Sequence, residues 1–271
     1  MPDKIEENLG AILRNHAKEK LARGELVASM TVRLVAGIEI ARIAKTAGFD
    51  SLYVDLEHNS FSIDACGQIC MAALAIGIAP FVRVPANTPE WISRVLDGGA
   101  LGVIAPHVSS AAEARAVVAA AKFPPLGLRS AAGGLPHLEY RSFPAAQANA
   151  AMNEATVVMV QFENAAGVDN AEQIMAVEGV DLVMIGSNDL LADLGLTGQY
   201  DHPKLKEAYA HTIAVCTRLG KHVGVGGLAS RPDLVAEFVK MGARYVSTGT
   251  DSAFLLSACT TRAKQVRDIQ L

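Results

Sequence analysis

The chain has 271 residues, of which 51% are hydrophobic and 19% charged, and its formal net charge is −4. This length suits one α/β barrel, which takes roughly 250 residues, so we expect a single domain over residues 1–271. The charge balance gives no basic surface of the kind that attracts nucleic acid. The longest apolar run, residues 71–82, is too short to cross a bilayer, and the charged start of the chain does not resemble a signal peptide. We therefore expect a soluble, cytoplasmic protein that binds neither nucleic acid nor a membrane.

Short apolar runs recur along the chain, and each is typical of a strand that is buried on both faces. Eight strands are predicted, at residues 27–32, 51–56, 80–84, 102–105, 157–162, 182–185, 222–225 and 245–248. The segments between them carry helix signals; for example, Ser109 and Ser110 can cap a helix that ends near Lys122. Regular alternation of strands and helices favours right-handed parallel crossovers. The predicted fold is a (β/α)8 TIM barrel.

One connection is irregular. Residues 123–141 form a long segment rich in glycine and proline between the fourth and fifth predicted strands. Long loops inside compact domains are often functional, so we expect this segment to matter for activity.

Polar residues follow the predicted strands, at the end of the barrel where such folds carry their chemistry. In chain order they are Asp55, Glu57, His58, Arg83, His107, Gln161, Glu163, Ser187, Asn188 and Asp189. Each one alone could be a helix cap or an ordinary loop residue. Their convergence from several strands on one rim instead predicts an active site.

The residue types indicate a particular chemistry. Glu163 and Asp189 offer two carboxylates from neighbouring strands, which suits Mg²⁺ or Mn²⁺ with positions left open for water and substrate. A 2-oxo acid can chelate such a metal, which then acts as a Lewis acid on the enolate. Arg83 would add a fixed positive charge at the same oxyanion. His58 is the natural proton carrier near neutral pH.

Two other readings are less favoured. Schiff-base catalysis needs an amine on the rim, and no lysine lies at the carboxyl end of any predicted strand. The segment from Gly224 to Ala229 fits the GxGxxG/A dinucleotide pattern, with Asp251 at a suitable distance for a ribose contact. Too few residues follow to complete a dinucleotide-binding sheet, so close packing or a small anion at the rim explains these glycines better.

Several segments together resemble the HpcH/HpaI aldolase family, and they cover nearly the whole chain in order. They are GFDSLYVDLEHN (48–59), PFVRVP (80–85), RVLDGGALGVIAPHV (94–108), PPLGLRS (124–130), VQFEN (160–164) and GVDLVMIGSNDLLADLG (179–195). The resemblance implies a (β/α)8 barrel. It also implies a homo-oligomer, usually a hexamer, in which the last helix is exchanged between neighbouring subunits.

The resemblance also implies roles for individual residues. Glu163 and Asp189 would bind the metal, His58 would be the acid/base and Arg83 would stabilise the enolate. The pyruvate-like moiety would be held by the residues Gln161, Ser187, Asn188 and Asp189, Asn188 acting through its backbone.

Asp97 would raise the basicity of the histidine, and Asp55 would lie in the same shell. Asp97 precedes the fourth strand, however, at the end of the barrel opposite His58. It could therefore reach the imidazole only from a neighbouring subunit; the alternative is that Asp97 merely caps or turns the chain before Gly98 and Gly99.

Two departures from the family pattern affect specificity. Ser130 follows Arg129 where members commonly have glycine, and Ser187 stands where they often have proline. Both positions are expected to flank the substrate.

The function predicted by the residues and the resemblance is that of a class II aldolase. It would use pyruvate or hydroxypyruvate as the enolate donor, an aldehyde as the acceptor, and Mg²⁺, Mn²⁺ or Co²⁺. Three alternatives stay open: decarboxylation of oxaloacetate-type acids, CoA-ester cleavage, and a non-catalytic oligomeric ligand-binding barrel.

Overall fold

The computed structural model describes residues 9–270, and its strands close into a parallel eight-stranded barrel in chain order, with β8 paired to β1. All eight predicted strands are present, and every bound agrees within one residue, which confirms the (β/α)8 prediction. The strands are β1 Val27–Val32, β2 Ser51–Asp55, β3 Ala79–Arg83, β4 Gly102–Ala105, β5 Val157–Phe162, β6 Leu182–Gly186, β7 His222–Gly226 and β8 Tyr245–Ser247.

Helices surround the strands, and several of them begin at a capping residue or a proline. They are α1 Leu9–Ile12, α2 His16–Ala22, α3 Glu39–Thr46, α4 Ile63–Ala75, α5 Pro89–Asp97, α6 Ala111–Ala121, α7 Ala145–Ala155, α8 Ala165–Asp169, α9 Ala171–Met175, α10 Ser187–Asp193, α11 Pro203–Arg218, α12 Pro232–Met241 and α13 Asp251–Arg267. The predicted cap of α6 is present as a capping box, in which the Ser110 side chain accepts the Glu113 N–H and the Glu113 side chain accepts the Ser110 N–H. No helix among residues 9–270 is both long and apolar enough to span a bilayer.

The barrel interior is filled by large apolar side chains towards the amino ends of the strands. Phe81 and Tyr245 stack there with ring centroids 5.8 Å apart, and Leu182 is fully buried in the same cluster. Leu13 and Leu21, from the α1–α2 region, belong to this cluster and cover the amino end. The charged side chains of the predicted site lie in the opposite half, at the carboxyl ends of the strands.

The long segment after α6 lies at the amino end of the barrel. It leads from α6 to α7 and contains one 3-10 turn, Pro136–Leu138. Its start is tied down at the α7 end, where Asn153 exchanges hydrogen bonds of 2.8 and 3.0 Å with the Phe123 backbone. Within one chain, this segment therefore does not border the rim that carries the predicted chemistry.

Helix α13 stands apart from the other helices in how little of it is buried. Asp251 is its one buried residue, while Leu255, Leu256 and Val266 expose large apolar side chains. A helix with apolar side chains on its outer surface is typical of an element that meets another molecule.

Candidate active site

A cavity of about 400 Å³ opens at the carboxyl ends of the strands. Six of the predicted site residues line it, from five different elements or loops: His58, Arg83, Gln161, Glu163, Asn188 and Asp189. The barrel places them together because parallel strands all end at the same rim.

Asp55, the last residue of β2, organises one side of this cavity. It is fully buried, and its carboxylate accepts two hydrogen bonds from Arg83, at 2.9 and 2.6 Å, and one from Arg33 Nε at 2.6 Å. It also accepts the backbone N–H groups of Glu57 and His58. Burial alone would raise the pKa of Asp55, but these two guanidinium groups hold it below its ordinary value. Asp55 thus fixes the position of Arg83 and of the loop that carries His58, and it touches His58 through the backbone.

Glu57 and His107 complete a charged wall beside Arg83. The Glu57 carboxylate lies 2.7 Å from Arg83 Nη1 and 3.1 Å from His107 Nε2. His107 has a positive φ of 55°, which turns its backbone N–H towards Glu163 Oε2 at 2.9 Å. All three arms of the Arg83 guanidinium are therefore engaged by carboxylates.

Glu163 and Asp189 are the two carboxylates that could hold a metal. The Glu163 side chain is 2% exposed, and burial raises its pKa, an effect that the nearby His107 only partly offsets. Its Oε1 is 3.9 Å from Arg83 Nη1. Asp189, at the start of α10, is exposed, and its side chain makes no hydrogen bond or ion pair within residues 9–270.

This pair fits a hard divalent cation. A buried carboxylate with a raised pKa and an unpartnered one facing the same cavity are both favoured in their ionised form by added positive charge. No group of three or more His, Cys, Asp or Glu side chains within residues 9–270 is arranged to hold a metal, so water and substrate would complete the coordination. Gly186 leaves room for the Glu163 side chain, because a Cβ at position 186 would lie 2.7 Å from Glu163 Cγ.

His58 sits at the mouth of the cavity with a side chain that is 54% exposed. Its Nε2 is 3.9 Å from Glu57 Oε2, beyond hydrogen-bond reach. Asp97 is not near it. Asp97 ends α5 at the amino side of the barrel, where its carboxylate accepts a 2.6 Å hydrogen bond from Arg129. One chain therefore does not bring these two residues together.

The residues after β6 divide between the cavity and the core. Asn188 lines the cavity, and its side-chain oxygen accepts a 2.7 Å hydrogen bond from Tyr200. Ser187 is fully buried, and its hydroxyl lies 3.0 Å from the Tyr209 hydroxyl, so its side chain does not face the cavity. Of the two departures from the family pattern, Ser130 lies in the segment at the amino end of the barrel, and Ser187 is buried below the rim of the cavity.

The dinucleotide-like segment does not form a nucleotide site. Asp251, the residue at the ribose-contact distance, is buried and accepts the backbone N–H groups of Arg33, Leu34 and Val35. Gly226 lets β7 approach its neighbour, since a Cβ there would lie 2.9 Å from Met184 Sδ. Close packing therefore explains the glycine at position 226.

Arg33 and Tyr53 are among the cavity residues that were not singled out from the sequence. Arg33 follows β1 and Tyr53 lies within β2, and both line the cavity. The rule that polar residues after strands mark the rim would have found Arg33. Tyr53 carries no such signal, because inside a buried strand it is indistinguishable from a core aromatic residue.

Comparison with known proteins decides the family. Residues 34–258 match the model of the HpcH/HpaI aldolase/citrate lyase family. The chain belongs to this family. As an HpcH/HpaI family member it is a carbon–carbon lyase.

Named relatives agree with this assignment. The chain is 38% identical over 260 residues to a 4-hydroxy-4-methyl-2-oxoglutarate aldolase from Hapsidospora irregularis, covering 95% of this chain and 96% of the relative. It is 31% identical to a 2-keto-3-deoxy-L-rhamnonate aldolase from Escherichia coli, covering 94% of each. The crystal structure of an HpcH/HpaI aldolase from Desulfitobacterium hafniense superposes with a TM-score of 0.86 at 31% identity, over 93% of this chain and 97% of that one.

Proposed function

We propose that this HpcH/HpaI family member is a metal-dependent class II aldolase that cleaves and forms 4-hydroxy-2-oxo acids, with pyruvate or hydroxypyruvate as the enolate donor. The observation that carries the proposal is the meeting of Glu163, Asp189, Arg83 and His58 in one cavity. Two carboxylates, a buried guanidinium and an accessible imidazole are the groups that enolate chemistry requires.

Glu163 and Asp189 would hold Mg²⁺, Mn²⁺ or Co²⁺. When bound there, the cation supplies a Lewis acid beside the carboxylate and keto oxygens of a 2-oxo acid. No lysine lines the cavity among residues 9–270, so the chain offers no amine for a Schiff base at this place.

Residues of the chain would stabilise the oxyanion, transfer the proton and bind the donor. Arg83 is buried and fixed by Asp55, so its positive charge is already in place beside the oxyanion that develops as the bond breaks. His58 would take the proton of the C4 hydroxyl in cleavage and return it in synthesis. Gln161, 3% exposed on the cavity wall, would hold the carboxylate end of the donor through its amide, and the Asn188 backbone would assist.

The relatives' names support the choice of donor. Both 4-hydroxy-4-methyl-2-oxoglutarate and 2-keto-3-deoxy-L-rhamnonate carry a 2-oxo acid and a C4 hydroxyl, and cleavage of either between C3 and C4 releases pyruvate. The two differ in what C4 carries, so the acceptor is the part of the substrate that varies.

We also propose that the active protein is a homo-oligomer, a hexamer as the family resemblance implies, in which α13 packs on a neighbouring subunit. The apolar side chains that α13 exposes in one chain support this. In such an assembly, Asp97 of one subunit would act on His58 of another, since a single chain keeps them at opposite ends.

Metal removal tests the function. After exhaustive chelation, release of pyruvate from 4-hydroxy-2-oxo acids should stop, and Mg²⁺, Mn²⁺ or Co²⁺ should restore it. Glu163→Gln and Asp189→Asn should each lose Mn²⁺ affinity in equilibrium dialysis, whereas Glu178→Gln, an exposed carboxylate outside the cavity, should bind as wild type. Full activity without metal would refute the mechanism, and turnover confined to oxaloacetate would identify a decarboxylase instead.

A further inference from the structure

Arg33 is a cavity residue that the reaction described above does not use. It follows β1, its side chain is 37% exposed, and it lines the same cavity as Glu163 and Asp189. The closed strand order places β1 across the barrel from β5. Arg33 therefore faces the donor-binding residues from the far side of the mouth.

Contacts at two points hold Arg33 in place. The Asp251 carboxylate accepts its backbone N–H at 3.0 Å, and the same carboxylate accepts the next two N–H groups of the loop. The Asp55 carboxylate accepts its Nε–H at 2.6 Å. An arginine whose backbone and Nε are both fixed loses little further freedom when it binds a ligand.

The other end of the Arg33 guanidinium is open. Within residues 9–270, its Nη1 and Nη2 make no hydrogen bond, whereas each nitrogen of the Arg83 guanidinium contacts Asp55 or Glu57. The two terminal nitrogens of a guanidinium match the two oxygens of a carboxylate in a bidentate pair. An anionic group in the cavity can thus meet two guanidinium nitrogens of Arg33 that have no hydrogen bond of their own.

The wall around Arg33 is polar as well. The lining on the β1 and β8 side includes the hydroxyl residues Thr31, Ser247, Thr248 and Thr250. A 2-oxo acid whose donor half lies against Glu163 and Asp189 directs its C4 substituents away from them, towards this side. Hydroxyl groups and a guanidinium suit a charged substituent better than an alkyl chain.

We propose that Arg33 binds the carboxylate of the acceptor, so that the preferred acceptor carries a carboxylate next to its carbonyl group, as glyoxylate and pyruvate do. The proposal rests on the aldolase function proposed above and specifies its acceptor class. In the cleavage direction, the preferred substrate is a 4-hydroxy-2-oxo acid with a second carboxylate on C4.

Two substrates that differ only on C4 test this: 4-hydroxy-2-oxoglutarate, with a carboxylate there, and 4-hydroxy-2-oxopentanoate, with a methyl group. Both release pyruvate, which is measured as the common product. A charge-assisted pair contributes about 10- to 100-fold in kcat/KM, so wild type should prefer the glutarate by at least that factor. Equal use of the two substrates would overturn the role of Arg33 and leave the aldolase function standing. Cleavage of neither would overturn both.

Variants then assign the preference to its residue. Arg33→Gln should reduce the ratio of the two kcat/KM values by about 10- to 100-fold, and Arg33→Lys should retain part of it. Arg42→Gln, which removes an exposed positive charge on α3, should leave the ratio and the activity unchanged. If Arg33→Gln keeps the wild-type ratio, the carboxylate is recognised elsewhere and the proposal is wrong. The proposal would also be contradicted if Arg33→Gln lost the preference and Arg33→Lys, in folded protein, did not partly retain it. The positive charge at position 33 would then not contribute to recognising the carboxylate.

Discussion

Arg83 and Asp55 face each other through two parallel hydrogen bonds, with Arg83 Nε 2.9 Å from Oδ1 and Nη2 2.6 Å from Oδ2 of the carboxylate. Both side chains are buried, and Arg33 bonds to the same carboxylate. One buried acid thus holds two guanidinium groups in place, and the arrangement depends on its negative charge.

Asp55→Asn should therefore destabilise the fold, because it leaves two guanidinium groups without their shared counterion. Loss of one partner of a buried pair costs about 3–5 kcal/mol, measurable as the free energy of unfolding in denaturant. Since the pKa of Asp55 is lowered in the folded state, this stability is present at neutral pH and is lost as the pH falls through that lowered pKa. Asp233→Asn, which breaks an exposed pair with Arg231, should cost no more than about 0.5 kcal/mol. A similar small loss at Asp55 would contradict the role described.

Arg83→Lys should lower turnover by about 10²-fold, even though the charge is kept. An ammonium group cannot match both oxygens of Asp55 and reach Glu57 as the planar fork does, so the charge beside the developing oxyanion would be misplaced. Steady-state kcat for pyruvate release measures the effect, with Arg42→Lys as the control on an exposed arginine. Wild-type kcat in Arg83→Lys would show that Arg83 serves the fold alone.

His58→Ala and Asp97→Ala should each lose about 10²-fold in turnover, the scale of general acid–base catalysis. If Asp97 serves His58 across a subunit interface, then unfolding the two variants together and reassembling them should restore activity at sites that combine both intact residues. Each variant reassembled alone is the control. Absence of recovery in oligomers shown by mass tagging to be mixed would mean that Asp97 does not act across the interface, and that its 2.6 Å hydrogen bond from Arg129 is its whole role.

His137 should make the fold acid-sensitive. Burial, aided by the charge of Arg129, lowers its pKa from 6.5 to about 4. The neutral imidazole is favoured in the folded state, so stability is full above pH 6.5 and falls as the pH drops from 6.5 to 4, by roughly 3 kcal/mol at most. His137→Gln can still donate to the Ala100 carbonyl, which His137 Nε2 contacts at 2.9 Å, and should flatten this part of the pH profile. His211→Gln, at an exposed position on α11, should leave it unchanged, and an unaltered profile in His137→Gln would disprove the assignment.

The fold could be predicted because parallel strands that are buried on both faces occur in the sequence as short, continuous apolar runs. Val157–Phe162, for example, is entirely buried, and its apolar run marked it as a strand. The rim residues His58, Arg83, Glu163 and Asp189 could be predicted because barrel topology alone assigns strand ends to one side.

What the sequence could not show is the direction of side chains and the contacts between distant segments. Ser187 and Asn188 are neighbours after β6, yet one faces the core and the other the cavity. The contact of Asp251 with the Arg33 backbone joins residues 218 positions apart. No local pattern encodes such a contact, so the loop after β1 appeared unremarkable.

That contact between Asp251 and the loop has a consequence for the C-terminal helix. Asp251 is the first residue of α13 and the acceptor for three successive N–H groups of the loop that carries Arg33. A displacement of the helix start therefore displaces the loop, while Arg83 on β3, Glu163 after β5 and Asp189 on α10 have no direct contact with Asp251. If Arg33 binds the acceptor as proposed, a truncation that removed α13 would thus affect acceptor binding and enolate formation to different extents. The residues proposed for enolate chemistry would keep their positions, and the proposed preference for an acidic acceptor would be lost first.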